Sequence, residues 1–486
     1  MGLAFIPLYI RYLGIESYGL IGLFAVLTAW LSLLDMGMTP TLSREMARFT
    51  SGSHTAESIR DLLRSIEIIT IGIAIVIASG VTLIANWLAS SWLKAENLPV
   101  PAVAQAFAIM GLVTALRFVE TIYRSSIVGL QRQVFLNVIN SSMATLRGFG
   151  AVGILAWVSP TIQAFFFWQG IVSVLNLVVF VTATYACLPT ADRPARFSLD
   201  VLRGVWRFAS GMLSITFLAL LLTQVDKILL SNLLTLTEYG YYTLAVAVAS
   251  VLYMLISPIT QAWYPRLNQL HAANDQIGLI RVYHQGAQLV TVIVGSVALV
   301  LIMFSEIFIR LWTQDAAIAT HSALLLSLLV LGNLLNGLMW IPYQIQLVHG
   351  WTSLAVRINM VAVIVIVPAI LWVTPRYGAV GAAWVWVGLN AGYLLIGVHF
   401  MYRRVLNTEK WRWYTQDVLF PLAAALTVGA MVRWLLPQPV LVFEQVSTLA
   451  LASLCTVTAA GLAAQCVRQQ AWQLITLSTI LKSRIP

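Results

Sequence analysis

The sequence predicts an all-α integral membrane protein with about fourteen transmembrane helices. Composition is the first observation: of the 486 residues, 60% are hydrophobic and 9% are charged, and the mean hydropathy is +0.87. A soluble domain has roughly 25% charged residues, so this chain has too little polar surface to face water on all sides. The second observation is a series of apolar stretches of about 20 residues, the length at which a helix crosses a bilayer.

These stretches follow one another along the whole chain. The first segment, "MGLAFIPLYIRYLG", is too short to span a membrane, and we interpret it as the end of a first helix that begins upstream. The complete spans are predicted at 18–41, 66–90, 102–128, 134–158, 162–187, 208–232, 239–263, 286–312, 322–347, 353–374, 378–401, 415–435 and 446–466.

The charges of the loops orient these helices. Most arginines and lysines outside the spans fall on alternate loops, such as the loop with Arg44 and Arg48 and the loop with Arg403 and Arg404. The positive-inside rule assigns the cation-rich side to the cytoplasm and predicts a cytoplasmic C-terminus. The net charge of +10 therefore reflects topology, and no nucleic-acid partner is expected because the cations are spread over many loops.

The chain contains an internal repeat. The motif "LGIESYGLIGL" at 13–23 is echoed by "LTLTEYGYYTL" at 234–244, and each Tyr-Gly pair is interpreted as a helix start with the tyrosine at the membrane interface. An even number of spans separates the copies, so both copies enter the membrane in the same direction. We therefore expect two six-helix lobes that are parallel repeats around a central cleft, at 1–203 and 204–401, and two extra helices with a tail at 402–486.

Ionisable residues interrupt the apolar spans of the first lobe. Arg117, Glu120 and Arg124 lie within about 60° of one another on one helical face, and Asp35 and Arg147 are expected at a similar depth. A charge at the bilayer centre is unfavourable by about 2.5–3.5 kcal/mol, so these side chains should face protein or a wet cavity. Two alternatives stay open: ion pairs of Arg117 with Glu120 and of Arg147 with Asp35, or a cationic binding site.

Polar residues replace these charges in the equivalent helix of the second lobe. They are amides and an indole at helical spacing, suited to hydrogen bonding and stacking with a sugar: Asn333, Asn336, Trp340 and Gln344. Asp226, near the outer end of span 208–232, is a candidate ion-coupling carboxylate together with Asp35 and Glu120. Its neighbour Lys227 should point about 100° away and is not expected to pair with it.

The sequence predicts neither a metal site nor a cofactor. Its cysteines, Cys187, Cys455 and Cys466, have no spacing suited to metal binding or redox chemistry. The histidines His54, His271 and His284 are expected in loops without partners at ligand spacing.

Several long motifs occur in an order that resembles a known family. They are "IPLYIRYLGIESYGL" with "LLDMGMTPTLSREMAR", then "RPARFSLDVLRGVWRFASGM" leading into "TQVDKILLSNLLTLTEYGYYTLA", and finally "YGAVGAAWVW". Together they are similar to the oligosaccharide and polysaccharide flippases, which include the O-antigen flippases and share a superfamily with multidrug exporters. The resemblance implies alternating-access movement of an undecaprenyl-pyrophosphate-linked oligosaccharide across the inner membrane. It also implies membrane lipids, a polysaccharide polymerase and chain-length machinery as partners.

With such a substrate, the charged residues acquire a specific interpretation. Arg147, Arg117 and Arg124 are predicted to bind the pyrophosphate, because a guanidinium group can bind phosphate oxygens bidentately. A multidrug or cation exporter of the same superfamily is the alternative, and it would favour acidic groups in its cleft. A membrane enzyme acting on the same lipid would need a large extramembrane domain with catalytic carboxylates, and a purely structural protein would leave the deep charges unexplained.

Overall fold

The structure, a computed structural model, is that of an all-α membrane protein, as predicted. It describes residues 2–189, 193–198, 217, 220–221, 223–436, 439, 441–470 and 472–473. Within these ranges, eleven helices are long and apolar enough to cross a membrane. A helix satisfies all of its interior backbone hydrogen bonds within one segment, which is why an apolar chain adopts helices in hydrocarbon.

The first compact unit comprises Met1–Gly240. Its centre is helix α4, which packs between α3 and α6 and buries Phe118 and Ile122 against Leu63 and Phe180. Residues 223–233, which are also helical, belong to this unit. Its other helices are α1 (Gly2–Leu31), α2 (Met38–Thr50), α3 (Ala56–Trp87), α4 (Val100–Gly129), α5 (Gln133–Trp157) and α6 (Ile162–Cys187).

The second compact unit comprises Tyr241–Pro486. Short π turns join some of its helices into longer continuous runs, at Thr291–Gly295, Tyr393–Gly397 and Trp413–Leu419. Its helices are α7 (Leu236–Ala249, which begins in the first unit), α8 (Val251–Ala272), α9 (Gln276–Val290), α10 (Ser296–Met303), α11 (Ser305–Thr313), α12 (Ala316–Leu338), α13 (Trp340–Val348), α14 (Ser353–Gly392), α15 (Val398–Arg404), α16 (Lys410–Arg412), α17 (Phe420–Leu435) and α18 (Val442–Ala463).

Two of the eleven helices are bent at a glycine with a positive φ angle. Gly14 interrupts α1 (φ 78°), and Gly378 interrupts α14 (φ 59°). A straight helix of the 40 residues of α14 would be about 60 Å long, twice the thickness of the hydrocarbon core. The spans predicted at 353–374 and 378–401 therefore correspond to two helical segments joined at Gly378.

The predicted end of the second span at residue 41 was wrong. The long helix α1 stops at Leu31 and a tight turn follows at Ser32–Asp35, because Gly37 takes a left-handed conformation (φ 76°) and α2 starts at Met38. Much of the span predicted at 208–232 and the lobe boundary predicted at residue 203 lie outside the described residues. The bounds 1–203, 204–401 and 402–486 stay a prediction.

The two Tyr-Gly motifs of the repeat contact each other inside the first unit. A Cβ atom on Gly19 would lie 2.7 Å from the backbone oxygen of Leu236, and one on Gly240 would collide with the oxygen of Ile15. Tyr18 and Tyr239 are 4% and 1% exposed, so both side chains pack inside the protein, and their depth at the membrane interface stays a prediction. The motif also marks a site of close helix approach.

Candidate functional site

Arg117 is fixed in place by side chains of two neighbouring helices. Its Nη2 atom donates a hydrogen bond to Oε1 of Gln169 on α6 at 2.8 Å. Its guanidinium group also lies over the ring of Phe24 on α1, 4.8 Å from the centroid. A cation over an aromatic face is attracted by the ring quadrupole, so Arg117 has a defined orientation without an ion pair.

Glu120, one turn further along α4, is the carboxylate of this cluster. Its side chain is 8% exposed and hydrogen-bonds to Asn176, whereas its Oε2 atom is buried without a partner in the described part of the chain. The cations that act on it electrostatically are Arg147, then Arg117 and Arg124. Three guanidinium groups thus act electrostatically on one carboxylate, and positive charge is in excess.

Arg147 has no ion pair or side-chain hydrogen bond with any residue in the described ranges, and its Nε atom is buried. The backbone around it is nonetheless tightly held. Gly148 allows the ring of Phe5 to pack directly on α5, and Trp168 donates a hydrogen bond to the backbone oxygen of Arg147 at 3.3 Å. A rigid helix therefore presents an unpaired guanidinium group.

The structure shows neither of the two ion pairs that the sequence left open for these charges, and the cationic binding site stays a prediction. Neither Arg117 with Glu120 nor Arg147 with Asp35 forms an ion pair. Asp35 instead accepts hydrogen bonds from the backbone nitrogen of Thr39 at 3.1 Å and from its hydroxyl at 2.6 Å, at the start of α2. Local geometry explains this, because the tight turn before α2 returns the Asp35 carboxylate to the next helix start.

Of the remaining charged candidates, Arg124 acts on Glu120 from the exposed edge of this cluster, and Asp226 lies apart from it. Arg124 is exposed near the end of α4. Asp226 lies 3.7 Å from Nζ of Lys227, so the expectation that these neighbours would not pair was wrong. The Lys227 ammonium also donates a hydrogen bond to the backbone oxygen of Thr223. The flexible lysine side chain bends back to make this bond, and the bend brings the ammonium close to Asp226.

Of the residues predicted to bind sugar, Asn333 and Gln344 form hydrogen bonds that connect neighbouring helices. Asn333 donates to the backbone oxygen of Ala249 at 3.0 Å and accepts from Tyr253 and Trp386 at 3.2 and 2.9 Å. Gln344 donates to the backbone oxygen of Thr260 at 3.0 Å. The polar atoms of Asn333 are therefore used within the protein, whereas Oε1 of Gln344 is buried without a partner in the described part of the chain.

The other two, Asn336 and Trp340, line a cavity of about 320 Å³ in the second unit. Four polar residues of the same cavity were missed from the sequence: Tyr343, Gln346, Asn359 and Tyr393. The reason is a helix break. Pro342 has no backbone N–H to pair with Leu338, so α12 ends there and α13 restarts at Trp340, which changes the face that each later residue occupies. The proline two residues after Trp340 was the signal for this break.

The expectation of loop positions was wrong for His271, which lies in α8, and for His284. His284 is buried in α9, and its ring nitrogens hydrogen-bond to Asp417 and, at 2.9 Å, to Glu409. Gln288 adds a 2.8 Å hydrogen bond to Asp417. Burial raises the pKa of Glu409, but the hydrogen bond and charge of His284 outweigh it and hold the pKa below its usual range. His54 also has a partner, Glu45, at 2.8 Å.

Comparisons with known proteins agree with the fold. Residues 1–271 match the family described as polysaccharide biosynthesis protein. A Shigella flexneri protein named as a candidate O-antigen transporter is 19% identical over 381 residues, which cover 77% of this chain and 87% of that protein.

Two solved structures share the fold at low sequence identity. The lipid II flippase MurJ in an inward closed conformation matches with a TM-score of 0.68 and 13% identity over 93% of this chain and 95% of its own. An inward-facing multidrug resistance MATE family transporter of the MOP superfamily matches with a TM-score of 0.65 and 14% identity over 84% and 94%. These matches are to transporters and flippases, not to enzymes. With more than half of its length matched, the chain belongs to the polysaccharide biosynthesis protein family.

Proposed function

We propose that this protein is a flippase for a lipid-linked oligosaccharide. Its substrate is an undecaprenyl-pyrophosphate-linked repeat unit of O-antigen, capsule or exopolysaccharide, moved from the cytoplasmic to the outer leaflet of the inner membrane by alternating access. The family match and the candidate O-antigen transporter from Shigella flexneri support this class of substrate.

One observation supports the proposal most directly: the unpaired guanidinium group of Arg147 inside a membrane span. An arginine in hydrocarbon is costly unless it faces a partner or a wet cavity. Arg147 forms no ion pair or side-chain hydrogen bond within the described residues, so its guanidinium group is available to a ligand. Arg117, held by Gln169 and Phe24, and Arg124 add two further cations around Glu120.

The sign of this cluster favours an anionic headgroup over a cationic drug. Three cations around one carboxylate would repel a cationic substrate, whereas a pyrophosphate offers oxygens that guanidinium forks can bind bidentately. The cavity around Asn336 and Trp340 in the second unit offers amides and aromatic rings to the sugar. Asp35, Glu120 and Asp226 are the carboxylates through which an ion gradient would act. The polymerase and chain-length machinery would receive the product outside.

Complementation of a flippase-null strain tests this function. In the Arg147→Ala variant, the loss of the unpaired cation should abolish surface polysaccharide while membrane protein level stays unchanged. The matched control is Arg132→Ala, which removes an exposed arginine just before α5. It should retain wild-type polysaccharide.

Two results would contradict the proposal. Wild-type polysaccharide in the Arg147→Ala strain would show that this cation binds no headgroup. Drug resistance conferred by the wild-type chain, without restored polysaccharide, would favour the multidrug exporter instead.

A further inference from the structure

A long apolar groove runs along the bent helix α14 and its continuation into α15. Leu354 and Phe400 line one end, and Ala369 and Val385 line the other, so the two halves run antiparallel on either side of it. The groove has a volume of about 660 Å³. At 1.5 Å per residue, the stretch from Leu354 to Ala369 is about 22 Å long, which leaves a cross-section close to that of one hydrocarbon chain.

The groove is open rather than filled by the protein. Three of its lining residues are glycines, and a Cβ atom on two of them, Gly388 and Gly392, would meet nothing within 4 Å. Val361 and Ile396 on its rims are each 60% exposed. In a bilayer, lipid chains are as apolar as these side chains, so the groove alone selects no ligand. Selectivity has to come from its polar end.

Arg357 provides a charge at that end. It lines the groove one turn from Leu354 and makes no ion pair or hydrogen bond with any residue that the structure describes. Arg403 and Arg404 lie at the same end of the helical hairpin, and such a cluster of cations marks a cytoplasmic membrane surface.

The groove continues into the polar cavity that contains Asn336 and Trp340. Ile358, Tyr393 and Gly397 line both, so the two spaces are contiguous. Gln346 lines this cavity, and its Oε1 atom has no hydrogen-bond partner in the described part of the chain. Such an acceptor is satisfied when water or a ligand binds it.

We propose that the groove, Arg357 and the cavity form one continuous site for a single lipid-linked sugar. The isoprenoid chain occupies the groove, its phosphate binds Arg357 before it reaches Arg147, and the first sugar enters the cavity beside Trp340 and Gln346. The identity of the ligand rests on the proposed function. The order of apolar chain, anion and sugar in the ligand matches the order of groove, guanidinium and amide-lined cavity in the protein. A phospholipid would match the groove and the cation but would leave the cavity unused.

Photo-crosslinking of the purified protein tests this site. The probe is a polyisoprenyl diphosphate disaccharide with a diazirine on its isoprenoid chain, in nanodiscs of phosphatidylethanolamine and phosphatidylglycerol, with labelled positions mapped by mass spectrometry. We expect labels on residues 354–400, displaced by unlabelled polyisoprenyl diphosphate disaccharide and not by added phosphatidylglycerol. Gly388→Phe fills the groove and should abolish the label. Arg357→Gln should reduce it about tenfold, the effect of losing a charge-assisted hydrogen bond, and Arg357→Lys should restore part of it.

The control is Gly461→Phe, the same substitution at a second open helical position, in α18, outside the groove. It should label as wild type does. Gly392→Phe serves as a second groove-filling variant, and monodisperse size-exclusion profiles show that each variant is folded.

Three outcomes would overturn the site: no label in 354–400, equal displacement by phosphatidylglycerol, or a label that Gly388→Phe leaves unchanged. Each can be told apart from failure of the flippase proposal, which is judged by complementation. A chain that restores polysaccharide but fails in crosslinking refutes the groove alone. Failure to complement, together with displacement by phosphatidylglycerol, refutes both.

Discussion

Gly19 and Gly240 pack against each other, with the backbone nitrogen of Gly240 3.3 Å from the position of a Cβ atom on Gly19. The contact is reciprocal: Gly19 meets Leu236, and Gly240 meets Ile15, the residue that corresponds to Leu236 in the other copy of the repeat. Two copies of one motif thus use the same surface toward each other, as in a two-fold interface. The glycines are required because the backbones approach too closely for a side chain.

Gly240→Ala should therefore destabilise the protein. The added methyl group would collide with the backbone oxygen of Ile15, and overpacking of this kind costs about 1–3 kcal/mol. Gly72→Ala in α3 is the control, because its Cβ would meet nothing within 4 Å, and alanine should stabilise a helix by about 0.5–1 kcal/mol. Thermal unfolding in detergent should show Tm changes of opposite sign. Equal Tm changes would show that this contact does not limit stability.

Glu120→Gln should increase the affinity for a polyisoprenyl diphosphate. The substitution removes the negative charge that opposes the anion among Arg117, Arg124 and Arg147. Arg147→Gln should weaken binding by about tenfold, since it removes a charge-assisted contact. The measurement is the Kd of the lipid in detergent for both variants. A weaker Kd for Glu120→Gln would mean that the carboxylate positions the arginines instead of opposing the ligand.

Asn333→Ala and Trp340→Ala should separate stability from transport. Asn333 bonds three partners from different helices, so its loss leaves buried polar groups unpaired, at about 1–3 kcal/mol each. Its Tm should fall. Trp340 is partly exposed in the cavity, so Trp340→Ala should keep its Tm and reduce polysaccharide export in the complementation assay. The reverse pattern would mean that Trp340 stabilises the fold and that Asn333 takes part in transport.

Stability should depend on Glu409 at acidic pH. Its pKa is lower in the folded protein than in the unfolded chain, so its ionised form stabilises the fold above the usual carboxylate range. That contribution should disappear as the pH falls through the folded-state pKa, when His284 and Arg412 lose their anionic partner. Other carboxylates titrate there too, so the Tm of wild type is compared with that of Glu409→Gln from about pH 3 to 6. Parallel curves would argue against this linkage.

Helix content and most span positions were predictable from the sequence, because hydrocarbon requires long apolar helices. The errors occur where one residue redirects the backbone. Gly37 ended a span early, and Pro342 rotated Gln344 away from the cavity and brought Gln346 into it. The sequence identifies such glycines and prolines as helix breakers. How each break changes the surroundings of the residues that follow it depends on which helices lie beside them.

The sequence by itself determined that this is a helical membrane protein with arginines inside its spans, since apolar content and spacing leave no other way to satisfy the backbone in lipid. Only the tertiary structure decided which charges pair. Asp35 accepts a hydrogen bond from Thr39, and His284 hydrogen-bonds to two carboxylates distant in sequence. Arg147 forms no ion pair in the described part of the chain. Pairing requires that two side chains meet within a few ångströms, and that distance is set by helix packing rather than by their order along the chain.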